Sequence, residues 1–211
     1  MMRIDLLKTS PDRAGRYWVT FSDGSKLGLY RQTVEDFGLY TGLEMSEDQF
    51  SALEKAAGQM SAKMRAVRIV SASSVSKKDL EHRLVQKGEN PEQAREAVQW
   101  MEDLHLVNDR NTAEQIVHSC ISKGYGLQRA KQALYEKRIP KQYWEDALAD
   151  YPDQEEKIAS FLRSRLDVDS DQKEIKKAVD ALLRRGHSYG VIRRVLSDLT
   201  FDTDEFPEEY I

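Results

Sequence analysis

Sulfur chemistry has almost no foothold in this chain: among 211 residues there is one cysteine, Cys120. A single thiol closes no intramolecular disulfide and completes no structural zinc site. Cys120 lies in the helical apolar pattern of 116–121, where a free cysteine acts as a small buried hydrophobe. Long apolar runs are missing as well. None approaches the roughly 20 residues that span a bilayer, and the opening segment, Met1 to Ser10, has no apolar stretch of signal-peptide length. The expectation is a cytoplasmic protein with no membrane partner. Glycines stand at expected helix ends or in a turn, so no glycine-rich phosphate loop is formed. His82, His105, His118 and His187 have no partner at metal-ligand spacing, and no serine sits in a GxSxG setting. These absences point away from an enzyme and toward a protein with no metal and no cofactor.

What the chain has in quantity is charge. Charged residues make up 32% and hydrophobic residues 40%, which suits small helical units with wide solvated faces better than one thick core. The net charge of −4 argues against a protein that mainly coats nucleic acid. The charges are segregated, however. Residues 63–87 hold seven bases against two acids, and residues 123–141 hold six bases against one acid. Acids collect in 145–156 and in a tail from Asp202 to Glu209. Segregation of this kind makes local fields even where the total is small.

The first 45 residues read differently from the rest. Arg16-Tyr17-Trp18-Val19-Thr20-Phe21 is aromatic and β-branched, and Asp23-Gly24 separates it from Lys26-Leu27-Gly28-Leu29-Tyr30. Asp-Gly between two such runs predicts a β-hairpin, because glycine tolerates the positive φ of the turn. Ile4 to Lys8 is a candidate third strand, and Arg31 to Phe37 a short helix ended at Gly38. A lone hairpin is marginal in water, so this piece should lean on something else.

From Ser46 onward the pattern is helix after helix. Ser46 with Gln49 has capping-box spacing, Ser76 is an N-cap, and Asn90-Pro91 is a cap followed by proline at the first helical position. Pro140 is read the same way. The helix from Glu47 to Ser71 is long enough to hold a break near Gly58. An internal repeat is present: Leu84 to Gly88 aligns with Leu134 to Arg138 and with Leu182 to Gly186, fifty and then 48 residues apart. The register extends beyond those blocks. Ala94, Trp144 and Ile192 correspond, as do Ala97, Ala147 and Val195, then Val98, Leu148 and Leu196, then Met101, Tyr151 and Leu199. These offsets place apolar groups on one face of the helix after each turn. The reading is a mainly α protein of three tandem three-helix repeats, 46–107, 108–152 and 153–200, behind a small β-hairpin element at 1–45 and before an acidic tail at 201–211. Trp100 and Trp144 are expected in the core, and Trp18 either in the core or on the hairpin surface.

This register resembles the RecX family. Ala66-Val67-Arg68-Ile69-Val70-Ser71, then Ser76-Lys77-Lys78-Asp79-Leu80, Leu84 and Lys87-Gly88, match its first repeat without gaps. Leu104, Asp109, Asn111-Thr112-Ala113 and Val117 follow, then Gly124, Ala133-Leu134, Lys137 and Ile139 in the second repeat. Leu182, Arg184-Arg185-Gly186-His187-Ser188 and Ile192 fit the third. The likeness covers about residues 60–200, and the hairpin is similar to an N-terminal extension that some members carry. Departures are Ala72-Ser73-Ser74-Val75 where bases are usual, Leu106 and Asn108-Asp109 in the turn, Asn111 for an arginine, and Arg138 where glycine is usual. The resemblance implies an elongated, curved helical rod that lies in the groove of a RecA–DNA filament, restrains its assembly, ATPase and strand exchange, and so acts in recombination, repair and the SOS response. Its implied state is a monomer, its partner RecA, with contact to single-stranded DNA in the filament left open.

Charge placement then nominates the partner-facing bases: Lys77, Lys78, Arg83 and Lys87 in the first repeat, Arg129, Lys131, Lys137 and Arg138 in the second, and Arg184 and Arg185 in the third. Lys87, Lys137 and Arg185 have a plain alternative, since a cation at a helix C-terminus complements the macrodipole. A rival to the whole reading is a DNA-binding module in which each three-helix unit works as a helix-turn-helix; the acids Glu145, Asp146 and Asp150 disfavour it in the second repeat. A general helical scaffold is the other.

Overall fold

A computed structural model describes residues 1–11, 15–167 and 169–199. The acidic tail expected at 201–211 lies outside them. The chain divides into two compact units, one ending at Val107 and the other beginning at Asn108.

The first unit opens with strands β1 (Met2–Thr9), β2 (Arg16–Phe21) and β3 (Lys26–Tyr30), followed by helix α1 (Arg31–Asp36) and a two-residue strand β4 (Glu44–Met45). The hairpin turns at Gly24, φ +84°, as its Asp-Gly pair predicts. It is part of an antiparallel sheet ordered β3-β2-β1-β4, in which β1 is the third strand expected at Ile4 to Lys8 and only β4 was not anticipated. β4 is too short to carry a period-two pattern. Trp18, half exposed, lies across from Gly28, where its ring fills the space a side chain would take.

Helix α2 (Glu47–Ala72) runs 26 residues from a complete Ser46–Gln49 capping box and does not break at Gly58. The glycine is there for packing: a Cβ at position 58 would sit 2.3 Å from the Gln93 side chain on α4 (Pro91–Asp103). The length of α2 serves two cores. Its first half gives Phe50, Leu53 and Ala57 to the sheet, with Phe50 edge-on to Phe21 at 4.9 Å. Its second half gives Ala62 and Ala66 to a cluster with Leu80 and Leu84 of α3 (Lys77–Gln86) and Ala94, Ala97 and Met101 of α4. The hairpin therefore leans on the first helix of the first repeat.

The second unit holds α5 (Asp109–Ser122), α6 (Leu127–Glu136), a 3₁₀ turn at Lys141–Tyr143, α7 (Trp144–Leu148), α8 (Glu155–Arg163), α9 (Gln172–Arg184) and α10 (Tyr189–Asp198). Two hydrophobic clusters occupy it. One joins α5, α6 and α7, and the other joins α8, α9 and α10. The repeat register is visible in both units. Ala94, Ala97, Val98 and Met101 are buried on α4, and Ile192, Val195 and Leu196 on α10. In the middle repeat Trp144, Ala147, Leu148 and Tyr151 are only half-buried. The reason is the broken third helix: Pro140 precedes a 3₁₀ turn where a regular first helical turn was expected, and only five residues of α-helix follow. Trp144 anchors that segment by donating its Nε1–H to the Ile139 carbonyl at 3.0 Å. Trp100 is half-buried too, with the Lys63 ammonium 5.3 Å from its ring centre. Both tryptophans thus edge the cores that they were expected to fill.

In each repeat the middle helix ends in the same way. Gly88, Arg138 and Gly186 take φ of +89°, +54° and +86°. The following N–H, from Glu89, Ile139 and His187, returns to Leu84, Leu134 and Leu182 at 3.1, 3.0 and 3.2 Å. This paired closure satisfies carbonyls that a helix end leaves open, and glycine suits it best. Arg138 holds the left-handed conformation without glycine's freedom, which costs roughly 1–2 kcal/mol. Arg138→Gly should therefore stabilise the second unit by about 0.5–1 kcal/mol in urea unfolding, while Gly88→Ala should destabilise the first by about 1 kcal/mol. A loss of stability in Arg138→Gly would mean that the arginine's own contacts outweigh the backbone strain.

Candidate partner-binding site

The residue after each left-handed turn is buried, and its chemistry differs in each repeat. Glu89 is held by the Arg65 guanidinium at 2.5 Å and the Ser61 hydroxyl at 3.0 Å. Ile139 is apolar and joins the α5–α6 cluster. His187 directs Nε2 at the Gly124 carbonyl, 3.0 Å away. A carbonyl oxygen only accepts, so Nε2 carries the hydrogen.

That His187 contact is one of several on a single segment, Ile121 to Gly126, where α5 turns into α6. Gln154 and Lys157 donate to the Ile121 and Ser122 carbonyls at 3.2 and 3.0 Å. The Tyr151 hydroxyl donates to the Tyr125 carbonyl at 2.7 Å, and burial pushes its pKa up to about 12. The Gly126 N–H donates to the Arg185 carbonyl at 2.9 Å and the Gln128 N–H to the Gly186 carbonyl at 3.1 Å. The two glycines permit this approach: a Cβ at 126 would stand 2.1 Å from the Gly186 oxygen, and one at 186 would stand 2.3 Å from the Arg129 nitrogen. Two C-terminal carbonyls of α5, those of Ile121 and Ser122, are thus taken up by side chains of the next repeat.

The nominated bases differ in exposure and in their ion pairs. On α3, Lys77 pairs with Glu102 at 2.7 Å, and Arg83 pairs with the buried Asp79 at 2.9 Å, as an ion pair rather than an aligned hydrogen bond. Lys78 and Lys87 are exposed, but they sit at opposite ends of α3, about 14 Å apart along the axis by helical rise. Four bases on this helix therefore make no single patch. On α6, Lys131 and Lys137 are half-buried and Arg138 is exposed at its left-handed turn. Arg129 pairs with Glu136 at 3.4 Å.

The glycine junction gathers several bases. It brings Arg129 beside Arg184 and Arg185 at the end of α9, around an open hollow of about 500 Å³. Arg165 and Phe161, which the sequence reading passed over, complete it. The guanidinium carbons of Arg165 and Arg185 each lie 4.7 Å from the centre of the Phe161 ring. No spacing in the sequence signals this meeting, because Arg129 and Arg185 are brought together by backbone contact between separate repeats. The acids of 145–156 are partly engaged: Asp146 with Arg110 at 2.8 Å, and Asp153 and Glu155 with Arg194. These exposed pairs contribute little to stability.

Among the described residues no group of three or more His, Cys, Asp or Glu side chains could hold a metal, and no helix is long and apolar enough to cross a membrane. Cys120 is buried and free, and burial raises its pKa.

His187 supplies a pH handle on the junction. Burial holds its pKa below the ordinary 6.5, against the opposing pull of the Gly124 hydrogen bond and with a further lowering from Arg185. The folded state then binds fewer protons than the unfolded state just below the ordinary value. The His187 contribution is complete above a pH of about 6.5 and is lost progressively as pH falls toward the depressed value. The melting temperature of the parent should therefore drop more between pH 7 and pH 5 than that of His187→Gln. Equal drops in the two proteins would remove His187 as the cause.

Known proteins share this organisation. A family model described as RecX, second three-helix domain, matches residues 108–148. The regulatory protein RecX of Clostridioides difficile (strain 630) is 28% identical over 211 residues, covering 97% of this chain and 97% of the relative. That of Oceanobacillus iheyensis is 26% identical, covering 97% of this chain and 80% of the relative. A crystal structure of RecX from Lactobacillus salivarius aligns with TM-score 0.59 and 27% identity over 68% of this chain and 97% of its own. A second crystal structure, of regulatory protein RecX, aligns with TM-score 0.61 and 22% identity over 93% of this chain and 100% of its own, a likeness of fold. The family model's match to the second three-helix domain, together with the RecX sequences and structures that match along the chain, supports its assignment to the RecX family.

Proposed function

We propose that this protein is a non-enzymatic cytoplasmic regulator that binds the RecA recombinase filament and restrains its assembly, ATPase and strand exchange in recombination, repair and the SOS response. The observation that carries this reading is the likeness, along 97% of the chain, to relatives named regulatory protein RecX. The repeats are taken as 46–107, 108–152 and 153–200, and the working state as a monomer. Physical features agree with action by binding. Small cores in tandem leave much surface for the chain's size. Lys78, Lys87, Lys131, Lys137, Arg138, Arg184 and Arg185, all exposed or half-buried, spread positive charge over all three repeats, whereas Lys77, Arg83 and Arg129 reach a partner only by sharing an internal acid. The helix-turn-helix alternative fits less well. The third helix of the second repeat is five residues long and carries Glu145 and Asp146 in its first turn, a poor element to place against phosphates.

The test is a pull-down with RecA on single-stranded DNA and an ATP analogue, followed by RecA's DNA-dependent ATPase. The parent should bind and inhibit. Lys131→Glu with Lys137→Glu should change stability by no more than about 1 kcal/mol yet weaken inhibition, most clearly at low salt. If the double variant inhibits as well as the parent at low and moderate salt, those two bases are a solvated face. If the parent itself fails to bind RecA, the regulator reading falls.

A further inference from the structure

The hollow at the end of α9 is built differently from the rest of the charged surface. Arg129, Arg165, Arg184 and Arg185 line about 500 Å³ together with Phe161 and Tyr125. Of the four arginines, one has an acidic partner among the described residues, Arg129 with Glu136. Another carboxylate, Glu174, borders an adjoining smaller hollow with Arg165 and Lys177, and it accepts the Asp171 N–H in the α9 capping box. Some bases elsewhere do meet acids: Lys77, Arg83, Arg110 and Arg194 are paired. Gathering guanidinium groups in one concavity, three of them with no carboxylate partner among the described residues, is electrostatically unfavourable without an anion, since like charges repel and concave walls focus their field.

The hollow is also held in place. Arg129 stands in the first turn of α6, whose N-terminus is fixed by the Gly126 and Gln128 hydrogen bonds to the end of α9. Arg165 and Arg185 rest on the Phe161 ring at 4.7 Å, which restricts both guanidinium planes. Arginine's planar fork matches a phosphate's paired oxygens better than an ammonium does. A hollow of this volume is within the range of small-ligand sites, and its aromatic edge gives a flat base a surface beside the cations. A side-chain carboxylate brings one charge and no flat partner; a nucleotide brings clustered phosphate charge and a ring.

We propose that this arginine hollow binds the phosphate of a nucleotide, with Arg129, Arg165, Arg184 and Arg185 holding the oxygens and the Phe161–Tyr125 edge facing the base. The source is a single strand or a free nucleotide. This deepens the filament reading by naming the chemistry of one contact, and it rests on that reading for its setting only.

The experiment uses the full chain without RecA, so its outcome is separate from that of the filament test. A fluorescein-labelled oligo(dT) is titrated by anisotropy over a range of salt, and ATP by calorimetry. The variants are Arg165→Gln with Arg184→Gln and, as a control on the first repeat, Lys78→Gln with Lys87→Gln. Circular dichroism should show both variants folded. Binding of oligo(dT) but not ATP identifies a strand as the source, and binding of ATP identifies a free nucleotide. In either case the arginine variant should weaken binding by about tenfold, and for the strand should flatten the logarithmic salt slope by about 1.4. The lysine control should keep the parent's affinity. Arg184→Lys should recover only part of the loss, because it restores charge without the fork. The proposal is overturned if neither probe binds, if the arginine variant binds like the parent, if the lysine control loses as much, or if a deca-glutamate peptide binds more tightly than both nucleotide probes.

Discussion

In every repeat the middle helix stops where one residue turns left-handed, and much of the rest is arranged around that stop. Gly88, Arg138 and Gly186 reverse the chain within a single residue, and the next N–H closes onto a buried leucine carbonyl. The closure drives the following side chain inward, so Glu89, Ile139 and His187 are all buried. It also starts the third helix close by: Asn90 caps α4 and Ser188 caps α10 directly after the turn. In the second repeat Pro140 stands at the capping position with no side-chain donor or acceptor to offer, and a 3₁₀ turn follows in place of a regular helix. One backbone constraint thus sets the angle of two helices, and small sequence changes at it alter the core that follows.

The buried residue after the turn shows how one geometry is put to three uses. Glu89 is a buried carboxylate, tolerable because Arg65 and Ser61 meet it. Ile139 adds apolar contact to the smallest of the clusters. His187 reaches across to the preceding repeat, where Gly124 ends α5. With Tyr151, Gln154 and Lys157 it satisfies the carbonyls of that helix end. The same close approach sets four arginines around one hollow, so the device that joins two repeats also concentrates positive charge. Charge placement in the sequence directs attention to bases along the repeat turns; the geometry gathers several of them at one junction.

Much of the fold is written locally. Capping residues Ser46, Ser76 and Asn90 each sit where their side chains accept from the first turn, as expected from their spacing. Hairpin, repeat register and helix stops follow from short-range rules as well, because turn chemistry and the 3.6-residue period act within a few residues of chain. Gly58 shows where local reading fails. Its lack of a side chain suggests a break, yet the helix continues because Gln93, thirty-five positions away, occupies the space. Strand β4 and the half-buried state of Trp100 and Trp144 are likewise settled by partners that the local pattern does not name.

The sequence by itself therefore determined the helical class, the three-fold register, the hairpin and the family resemblance, since each depends on interactions between near neighbours. Only the tertiary structure decided which bases stand open and which meet. Lys77 and Arg83 are taken up by Glu102 and Asp79. Arg129 joins Arg184 and Arg185 because Gly126 and Gly186 let two backbones touch. Arg165 and Phe161, unremarkable in the chain, become part of a charged hollow. The physical reason is range: a helix period or a cap is a property of a few consecutive residues, whereas charge density at a point is a sum over groups that folding alone brings near one another.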